Sequence, residues 1–205
     1  MQMPNNNALE QKIIDVAKDI FVKKGFEETS MCDIAAAAGV TRPALHYYFR
    51  TKEKLFHAVF GGIIQSLAPE IEGIIQSDTP ALAKLSRLAD IYIGKFLQEP
   101  SLPMFIIMEI QRDAGHLVET AEHLNIRQYV VQLSLYFHSE MKKGNIREVP
   151  LYTLFYTFFG LLAYPFLTRN LVHAVAGETQ GGFEAIIRTW KPYVMQQLET
   201  LLRVG

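Results

Sequence analysis

The chain has 205 residues, of which 49% are hydrophobic, so it can bury a substantial core in one or two domains. Its formal charge is -1 and its pI is about 6.6, which excludes an overall basic surface of the kind that marks many nucleic-acid binders. A single cysteine, Cys32, excludes an internal disulfide framework, and the amino-terminal residues lack a secretory signal pattern, so we expect a cytoplasmic protein.

Helical periodicity begins near the amino terminus, over residues 8–24. Ile13, Val16 and Ile20 recur at three- and four-residue steps, as on one face of an amphipathic helix. Gly25 follows them and can adopt the left-handed conformation that ends a helix. The spacing therefore predicts a first helix that stops at this glycine.

The next stretch contains the strongest local signals in the chain. Ser30 can cap a short helix, and Asp33 lies three residues later, as in a capping box. Gly39 can close that helix, and Thr41 can cap a second one that has Pro43 in its first turn. Two helices joined by a three- or four-residue turn that contains glycine describe a helix-turn-helix, whose second helix reads the DNA major groove.

Further helical segments follow, and no alternating strand pattern of useful length interrupts them. Thr51 can cap a long helix that reaches about Gln76, and Pro69 predicts a kink or a short break within it. Gly115 ends a later short helix, and Asn125 is a candidate break in the helix after it. The fold class is therefore all-α, with about nine helices. We expect them at about residues 8–24, 30–38, 41–48, 51–76, 81–98, 102–113, 116–143, 150–175 and 183–203, with a loop at Gly177, Gly181 and Gly182.

One apolar stretch allows two interpretations. Residues 149–168 contain no charged side chain, and their length is enough for a membrane span. They also include several Tyr, Thr and Pro residues, and no second comparable segment follows. A helix that is apolar on every side also fits a position between a domain core and a partner subunit. We prefer this second interpretation and expect no membrane association.

Two polar groups near the middle of the chain also have a functional and a structural interpretation. His116, Glu119 and His123 share one helical face and are competent zinc ligands, but they lack the His-Glu-x-x-His spacing, so we favour a solvated face. Glu109 and Arg112 lie at i and i+3, and we favour a solvated ion pair over polar groups of a ligand pocket. We therefore predict neither a metal site nor a cofactor.

The residues around the helix-turn-helix also resemble a known family. Gly25-Phe26, and then TSMCDIAAAAGVTRPALHYYFRTKEKLF, is similar to the amino-terminal domain of the tetracycline-repressor-like (TetR/AcrR) transcriptional regulators. The resemblance is specific over residues 9–60 and only architectural beyond them. It implies an amino-terminal three-helix DNA-binding domain with the helix-turn-helix at residues 1–53, and a larger helical ligand-binding and dimerisation domain at residues 54–205.

The resemblance also implies DNA-contacting residues in and beside the second helix of the motif. Arg42 is the strongest candidate for base readout, because a guanidinium can bond the O6 and N7 atoms of guanine together; a phosphate contact is its alternative role. The family usually has Tyr at the position of His46, and an imidazole there makes mildly pH-dependent DNA binding a further hypothesis. Lys52 matches a phosphate-binding lysine in the first turn of the next helix. The expected DNA-binding residues are Ser30, Met31, Thr41, Arg42, Pro43, Ala44, His46, Tyr47, Tyr48 and Lys52.

The second domain is rich in aromatic residues and methionine, which fill a core more often than they line a cavity. Ligand pockets of proteins are mostly apolar, with a few polar groups at defined positions. We expect such a cavity, for a small apolar or amphipathic effector, among Tyr92, Phe96, Phe105, Met108, Tyr129, Phe137, Tyr156 and Phe159.

Two helices offer a surface for self-association: the apolar helix after Pro150 and the last helix of the chain. Two such helices from each subunit can form a four-helix contact about a two-fold axis. Their exposure on a monomer would create an apolar patch of a kind that soluble monomers avoid. The expected interface residues are Phe155, Phe158, Leu162, Phe166, Phe183, Ile187, Trp190 and Val194.

The resulting hypothesis is a transcriptional repressor that binds a pseudo-palindromic DNA operator as a homodimer and leaves it when a small molecule binds. One alternative is a helical DNA-binding protein without an effector. The other is a soluble helical enzyme, for which the sequence offers no nucleophile motif, phosphate loop or dinucleotide fingerprint. We therefore do not expect an enzyme.

Overall fold

The computed structural model describes residues 6–176 and 182–204, and these residues form eleven α-helices and no β-strand. The all-α fold class predicted from the sequence is confirmed. The helices are α1 (Asn6–Lys24), α2 (Met31–Ala38), α3 (Arg42–Tyr48), α4 (Lys52–Gln65), α5 (Ala68–Gln76), α6 (Ala81–Gln98), α7 (Leu102–His123), α8 (Arg127–Lys142), α9 (Leu151–Leu167), α10 (Arg169–Ala176) and α11 (Gly182–Leu202).

The helix count exceeds the predicted value because two of the predicted helices are each divided. Pro69 lies in the first turn of α5, where the missing N–H of a proline is tolerated, so the predicted helix at 51–76 becomes α4 and α5. Thr168 likewise separates α9 from α10. Of the predicted glycine loop, Gly177 and Gly181 lie outside the described residues, and Gly182 begins α11.

Helix α7 carries a kink at Asp113, whose φ of −160° and ψ of 85° are not helical. The Asp113 carboxylate accepts a hydrogen bond from the backbone N–H of His116 at 3.0 Å and so caps the second half of the helix. Asn125 adopts a φ of 56° between α7 and α8. The breaks predicted near Gly115 and Asn125 are therefore both present, although the first is a kink within one helix.

The chain divides into two compact units. Unit 1 comprises the chain up to Ser66 together with Met104–Ile126, and unit 2 comprises Leu67–Pro103 together with the chain from Arg127 onwards. The predicted boundary between residues 53 and 54 concerns the DNA-binding segment and stays a prediction. In the structure, unit 1 contains that segment and also α4 and most of α7.

The core of unit 1 is built around one aromatic ring. The Phe56 ring lies 5.1 Å from the rings of both Phe21 and Phe26, in edge-to-face contacts, and 5.5 Å from the Phe105 ring. Aromatic pairs of this kind contribute about 0.5–1.5 kcal/mol beyond their buried area. These contacts bring α1, α4, α7 and the turn after α1 together.

The core of unit 2 lies where α11 packs on α6 and α9. Helix α9 buries Leu154, Phe158, Leu162 and Phe166, which recur every four residues and therefore share one side of the helix. The side chains that α11 contributes to the same core are Ile187, Val194, Leu198 and Leu202.

Length and composition alone would allow Lys52–Gln76 to cross a membrane, and also the bent pair Leu151–Leu167 with Arg169–Val175, whose axes differ by 55°. Core helices of soluble proteins meet the same criteria. The buried side of α9 fits the interpretation that we preferred for the uncharged stretch, a helix packed against a domain core.

Unit 2 also contains a buried lysine that the sequence pattern did not reveal. Only 1% of Lys84 is exposed. Its ammonium donates hydrogen bonds to the carbonyl oxygens of Ile74 at 2.6 Å, Ile75 at 3.1 Å and Ser77 at 2.5 Å. These oxygens lie at the end of α5, where the last carbonyls lack donors from the helix itself, and the lysine donates to all three. The Ile74 carbonyl also accepts from the Ser77 N–H at 3.3 Å and from the Ser77 hydroxyl at 2.7 Å. Burial, and then the charge of Arg87, lower the pKa of Lys84.

Replacing Lys84 by methionine should destabilise unit 2, because the methionine keeps the apolar stem and removes the ammonium that donates to the three carbonyls. We expect the free energy of unfolding to fall by about 1–3 kcal/mol, measured by urea denaturation followed by circular dichroism. Lys142→Met, at an exposed lysine of the same unit, is the matched control. Equal unfolding midpoints for the two variants would contradict this role of Lys84.

Candidate functional site

The first helix of the helix-turn-helix, α2, is held at both ends by short-range bonds. Ser30 Oγ accepts a hydrogen bond from the Asp33 N–H at 3.1 Å, and the Asp33 carboxylate accepts one from the Ser30 N–H at 3.4 Å. At the other end, Gly39 adopts a left-handed φ of 67°, and its N–H points to the carbonyls of Ala35 and Ala36. A side chain at this φ would be strained, so glycine is needed where the chain turns.

The second helix, α3, follows α2 after a turn of three residues. Thr41 Oγ1 accepts a hydrogen bond from the Ala44 N–H at 3.3 Å, and Pro43 lies in the first turn. Leu45 and Phe49 are buried and attach the helix to the core of unit 1. The caps, the proline and the turn glycine predicted from the sequence are therefore confirmed.

The predicted DNA-binding residues all keep at least part of their side chains accessible. Tyr47 is the most open large side chain among them, with 75% of its surface exposed. Arg42 is exposed at the first position of α3, where a recognition helix meets base edges. The exposed residues are Ser30, Thr41, Arg42, Pro43 and Tyr47, and the half-buried ones are Met31, Ala44, His46, Tyr48 and Lys52.

Two of these residues make contacts that the sequence did not predict. Nδ1 of His46 lies 3.2 Å from the carbonyl oxygen of Arg50, at the end of α3. The Lys52 ammonium donates to the carbonyl oxygens of Phe26 at 3.0 Å and Glu27 at 3.5 Å. It also lies 4.2 Å from the centre of the Phe26 ring. Lys52 therefore ties the start of α4 to the turn after α1, in addition to any contact with DNA.

Unit 2 contains an apolar cavity of about 180 Å³ between α6, α8 and α9. Tyr92 and Ser134 supply its hydroxyl groups, and burial raises the pKa of Tyr92 to about 12, so the phenol stays neutral and can donate a hydrogen bond. No charged side chain lines this cavity. The lining residues are Leu85, Leu88, Tyr92, Val130, Leu133, Ser134, Phe137, Leu151, Leu154, Phe155, Phe158 and Phe159.

Of the residues expected around a ligand, the structure brings Tyr92, Phe137 and Phe159 together in this cavity. Phe96 packs against Phe166 in the core, with ring centres 5.3 Å apart. The remaining expected residues do not line it: Phe105 and Met108 belong to unit 1, Tyr129 contacts Glu72, and Tyr156 is 69% exposed. Aromatic residues at helical spacing look alike in a sequence whether they fill a core or line a cavity.

Residues 13–59, from within α1 into α4, match the family model of bacterial regulatory proteins of the tetR family. This amino-terminal segment belongs to the TetR family. The match covers the helix-turn-helix whose geometry is described above, and it confirms the family that the sequence resembles.

Individual TetR-family relatives match over the same part of the chain. The HTH-type transcriptional regulator AcrR of Shigella flexneri is 39% identical over 83 residues, which are 40% of this chain and 38% of the relative. The HTH-type transcriptional repressor KstR2 of Rhodococcus jostii is 29% identical over 77 residues, which are 38% of each chain. The chain thus matches less than two fifths of the length of either relative.

Solved structures share the fold over nearly the whole chain. FadR from Bacillus subtilis, in complex with stearoyl-CoA, superimposes with a TM-score of 0.69 and 18% identity, covering 92% of this chain and 96% of that one. A TetR-family regulator from Marinobacter aquaeolei gives a TM-score of 0.71 and 16% identity, with 96% of each chain covered. At these identities the likeness shows the fold alone.

The residues expected at a dimer interface differ in how much of their surface is open. Phe158, Leu162, Phe166, Ile187 and Val194 are buried in the core of unit 2, so their side chains cannot meet a partner. Phe183 packs on Phe166, and the Trp190 indole donates to the Leu161 carbonyl. Phe155 is exposed but borders the cavity.

The opposite side of α9 is the open one. Tyr152, Tyr156 and Tyr164 are each about two-thirds exposed, and Gly160 between them is exposed as well. These four residues recur every four positions and form a row, which we call the tyrosine row. Because residues 149–168 are uncharged throughout, the sequence carried no signal for which side of this helix faces inwards.

Unit 1 also contains buried polar residues that sequence analysis had assigned to solvent. Glu109 is only 2% exposed and forms an ion pair with Arg112, so the predicted pair is confirmed but its solvation is wrong. The side chain of His116 is 9% exposed and faces His57 of α4, which the sequence did not single out. Among the residues that the structure describes, no three His, Cys, Asp or Glu side chains are arranged to hold a metal ion.

Proposed function

We propose that this TetR-family protein is a DNA-binding transcriptional regulator of the cytoplasm that acts as a homodimer on a pseudo-palindromic operator. We further propose that it is a repressor, released from DNA when a small apolar or amphipathic molecule binds in unit 2. The capped helix-turn-helix with its exposed α3 carries the proposal. The names of the curated relatives, among them a transcriptional repressor, support it.

Specificity in the proposed complex depends on few side chains. Helix α3 has seven residues, so one copy can present only its first turn and a few neighbours to base edges. Arg42 is exposed there, and a bidentate bond to guanine contributes about 1–3 kcal/mol of discrimination. From Tyr47, Tyr48 and His46 we expect contacts to phosphates, which fix the orientation of the protein on DNA and carry no sequence information directly.

Arg42→Ala should reduce affinity for the chain's own promoter DNA by about tenfold or more, with a smaller effect on unrelated DNA. The measurement is a fluorescence-anisotropy titration at fixed salt with both DNAs. Arg87→Ala, at an exposed arginine of unit 2, is the matched control. Equal losses on both DNAs would make Arg42 a phosphate contact, and no binding of any promoter fragment at low salt would overturn the proposed function.

A homodimer would hold two copies of α3 at a fixed separation, which one short recognition helix needs for useful specificity. We place the interface on the tyrosine row of α9 together with Tyr193 of α11, which is 60% exposed. The bond from Trp190 Nε1 to the Leu161 carbonyl, at 2.9 Å, brings these two helices together. Exposed aromatic side chains in one row form an apolar patch that a partner can cover.

Gly160→Glu should convert the dimer into monomers, because it places a charge in the middle of the tyrosine row. A Cβ at Gly160 would meet no atom within 4 Å, so the protomer itself is not disturbed. Gly73→Glu, at an exposed glycine of α5 with the same open surroundings, is the control. Sedimentation velocity gives the mass, and a dimeric Gly160→Glu variant would place the interface elsewhere.

The apolar cavity is the proposed effector site. Its lining has two hydroxyl groups and no charge, so it suits an apolar group with one hydrogen-bonding atom. Its volume of about 180 Å³ lies below the range of about 300–1,000 Å³ of drug-sized pockets, so a longer ligand requires the walls to move. The structural neighbour that binds stearoyl-CoA supports an amphipathic effector whose apolar end enters here.

Filling the cavity should abolish binding of an apolar probe. Ser134→Trp puts an indole into the space, and we expect a loss of at least about tenfold in affinity for the neutral dye N-phenyl-1-naphthylamine, read by its fluorescence. Ser139→Trp, at an exposed serine of the same helix, should bind the dye as the unmodified protein does. Unchanged dye binding by Ser134→Trp would remove this cavity as the effector site.

A further inference from the structure

Two histidines from different helices meet inside unit 1. Nε2 of His116 on α7 lies 2.9 Å from Nδ1 and 3.0 Å from Nε2 of His57 on α4, and the ring centres are 3.9 Å apart. On its other side, His116 Nδ1 lies 2.9 Å from the Glu109 carboxylate. His57 Nδ1 also lies 3.0 Å from the hydroxyl of Thr120, a residue that is 4% exposed.

Glu109, His116, His57 and Thr120 form a continuous chain of polar contacts. His116 Nε2 lies at nearly the same distance from both ring nitrogens of His57, so the two imidazoles meet at a single point. The Glu109 carboxylate can only accept a hydrogen bond from His116 Nδ1. Arg112 donates to Glu109 and neutralises its buried charge.

Protonation disturbs this arrangement. Only one proton fits between two ring nitrogens that are in contact. When both imidazoles are charged, every ring nitrogen carries a hydrogen, so two N–H donors face each other without an acceptor. Burial, and then the charge of His116, lower the pKa of His57, while Glu119 and Glu109 act in the opposite direction. Protonation of His57 is therefore disfavoured in the folded unit.

We propose that the His57–His116 pair is a proton-sensitive lock that holds α7 against α4 at neutral pH and opens when the unit is acidified. The lock reaches the DNA-binding residues through Arg112. The Arg112 guanidinium lies 4.2 Å from the centre of the Phe26 ring, which also contacts the Lys52 ammonium at the start of α4. Opening the lock therefore releases Arg112 and Phe26, and with them the support of Lys52.

The charged surroundings of the lock come from three elements. On α7 they include the carboxylate of Glu119 and the imidazole of His123, which lowers the pKa of His57 further. Arg112 faces four carboxylates. They belong to Glu109 and Asp113 on α7, Glu27 in the turn after α1, and Glu53 on α4. Imidazole is the side chain whose ordinary pKa lies between pH 5 and neutrality, so the test uses this range of pH.

The direction of the pH dependence follows from His57. Because its pKa is lower in the folded unit than in the unfolded chain, the unfolded chain binds protons more readily. The contribution of the lock to stability is therefore complete above about pH 6.5 and is lost as the pH falls below this value.

Amide hydrogen exchange of the full chain, read by mass spectrometry, tests the lock directly. After correction for intrinsic exchange, we expect residues 104–126 to exchange about tenfold faster at pH 5.5 than at pH 7.5. The double variant His57→Gln/His116→Gln keeps donors and acceptors but cannot titrate, so its exchange should not depend on pH. His138→Gln, at an exposed histidine of unit 2, should behave as the unmodified protein.

An unchanged exchange rate in the wild type, or the same acceleration in the double variant, would overturn the lock. If the double variant does not fold, an NMR titration of the wild-type imidazoles replaces it. The pKa of His57 must then lie below that of a free histidine, and the amide signals of α7 must shift over the same pH range.

The effect on DNA rests on the proposed function and has its own measurement. Acidification should weaken promoter binding by about threefold in the wild type and in His46→Gln, but not in the double variant. A lock that opens without changing promoter affinity would overturn this regulatory role alone. No promoter binding at any pH would instead overturn the proposed function, while the exchange data would still decide on the lock.

Discussion

Phe26 is the contact on which the DNA-facing end of unit 1 depends. The Lys52 ammonium and the Arg112 guanidinium each lie 4.2 Å from the centre of its ring. A cation over an aromatic face contributes about 0.5–2 kcal/mol, with the larger values where water is excluded. The same ring packs edge to face on Phe56 in the core. One side chain in the turn after α1 thus joins the start of α4 to α7 and to the centre of the unit.

Helix α9 in unit 2 also takes part in two different sets of contacts. One side supplies Leu154, Phe158 and Leu162 to the core, and the first two of these also line the cavity. The other side carries the tyrosine row. An effector that moves Phe158 or Phe159 would therefore act on the same helix that we propose for the dimer contact. This shared helix offers a direct physical route between effector and assembly, since closely packed cores transmit displacement.

The parts that could be predicted from the sequence are those governed by local bonds. The caps by Ser30 and Thr41 and the turn at Gly39 each involve residues at most four positions apart, so they can be predicted from neighbouring residues in the sequence. The buried Lys84 and the bond from Lys52 to the Phe26 carbonyl join residues 10 and 26 positions apart, and His57 meets His116 across 59 positions. Such pairs exist only after the helices have packed. Five of the residues expected at the interface, among them Phe158 and Leu162, lie in the core instead, because an uncharged helix has no polar face that reveals its orientation in the sequence.

The buried charges of α7 have a structural consequence that apolar side chains would not provide. A buried ion pair is often no more stabilising than well-packed apolar residues of the same size. Here, however, Glu109 lies before the kink at Asp113 and His116 lies after it, so the bond between them spans the bend. The Asp113 carboxylate caps the His116 N–H on the same bend. These directional bonds hold the second half of α7 at one angle, and that angle aims His116 at His57. Apolar contacts are non-directional and would leave the angle of the bend less defined.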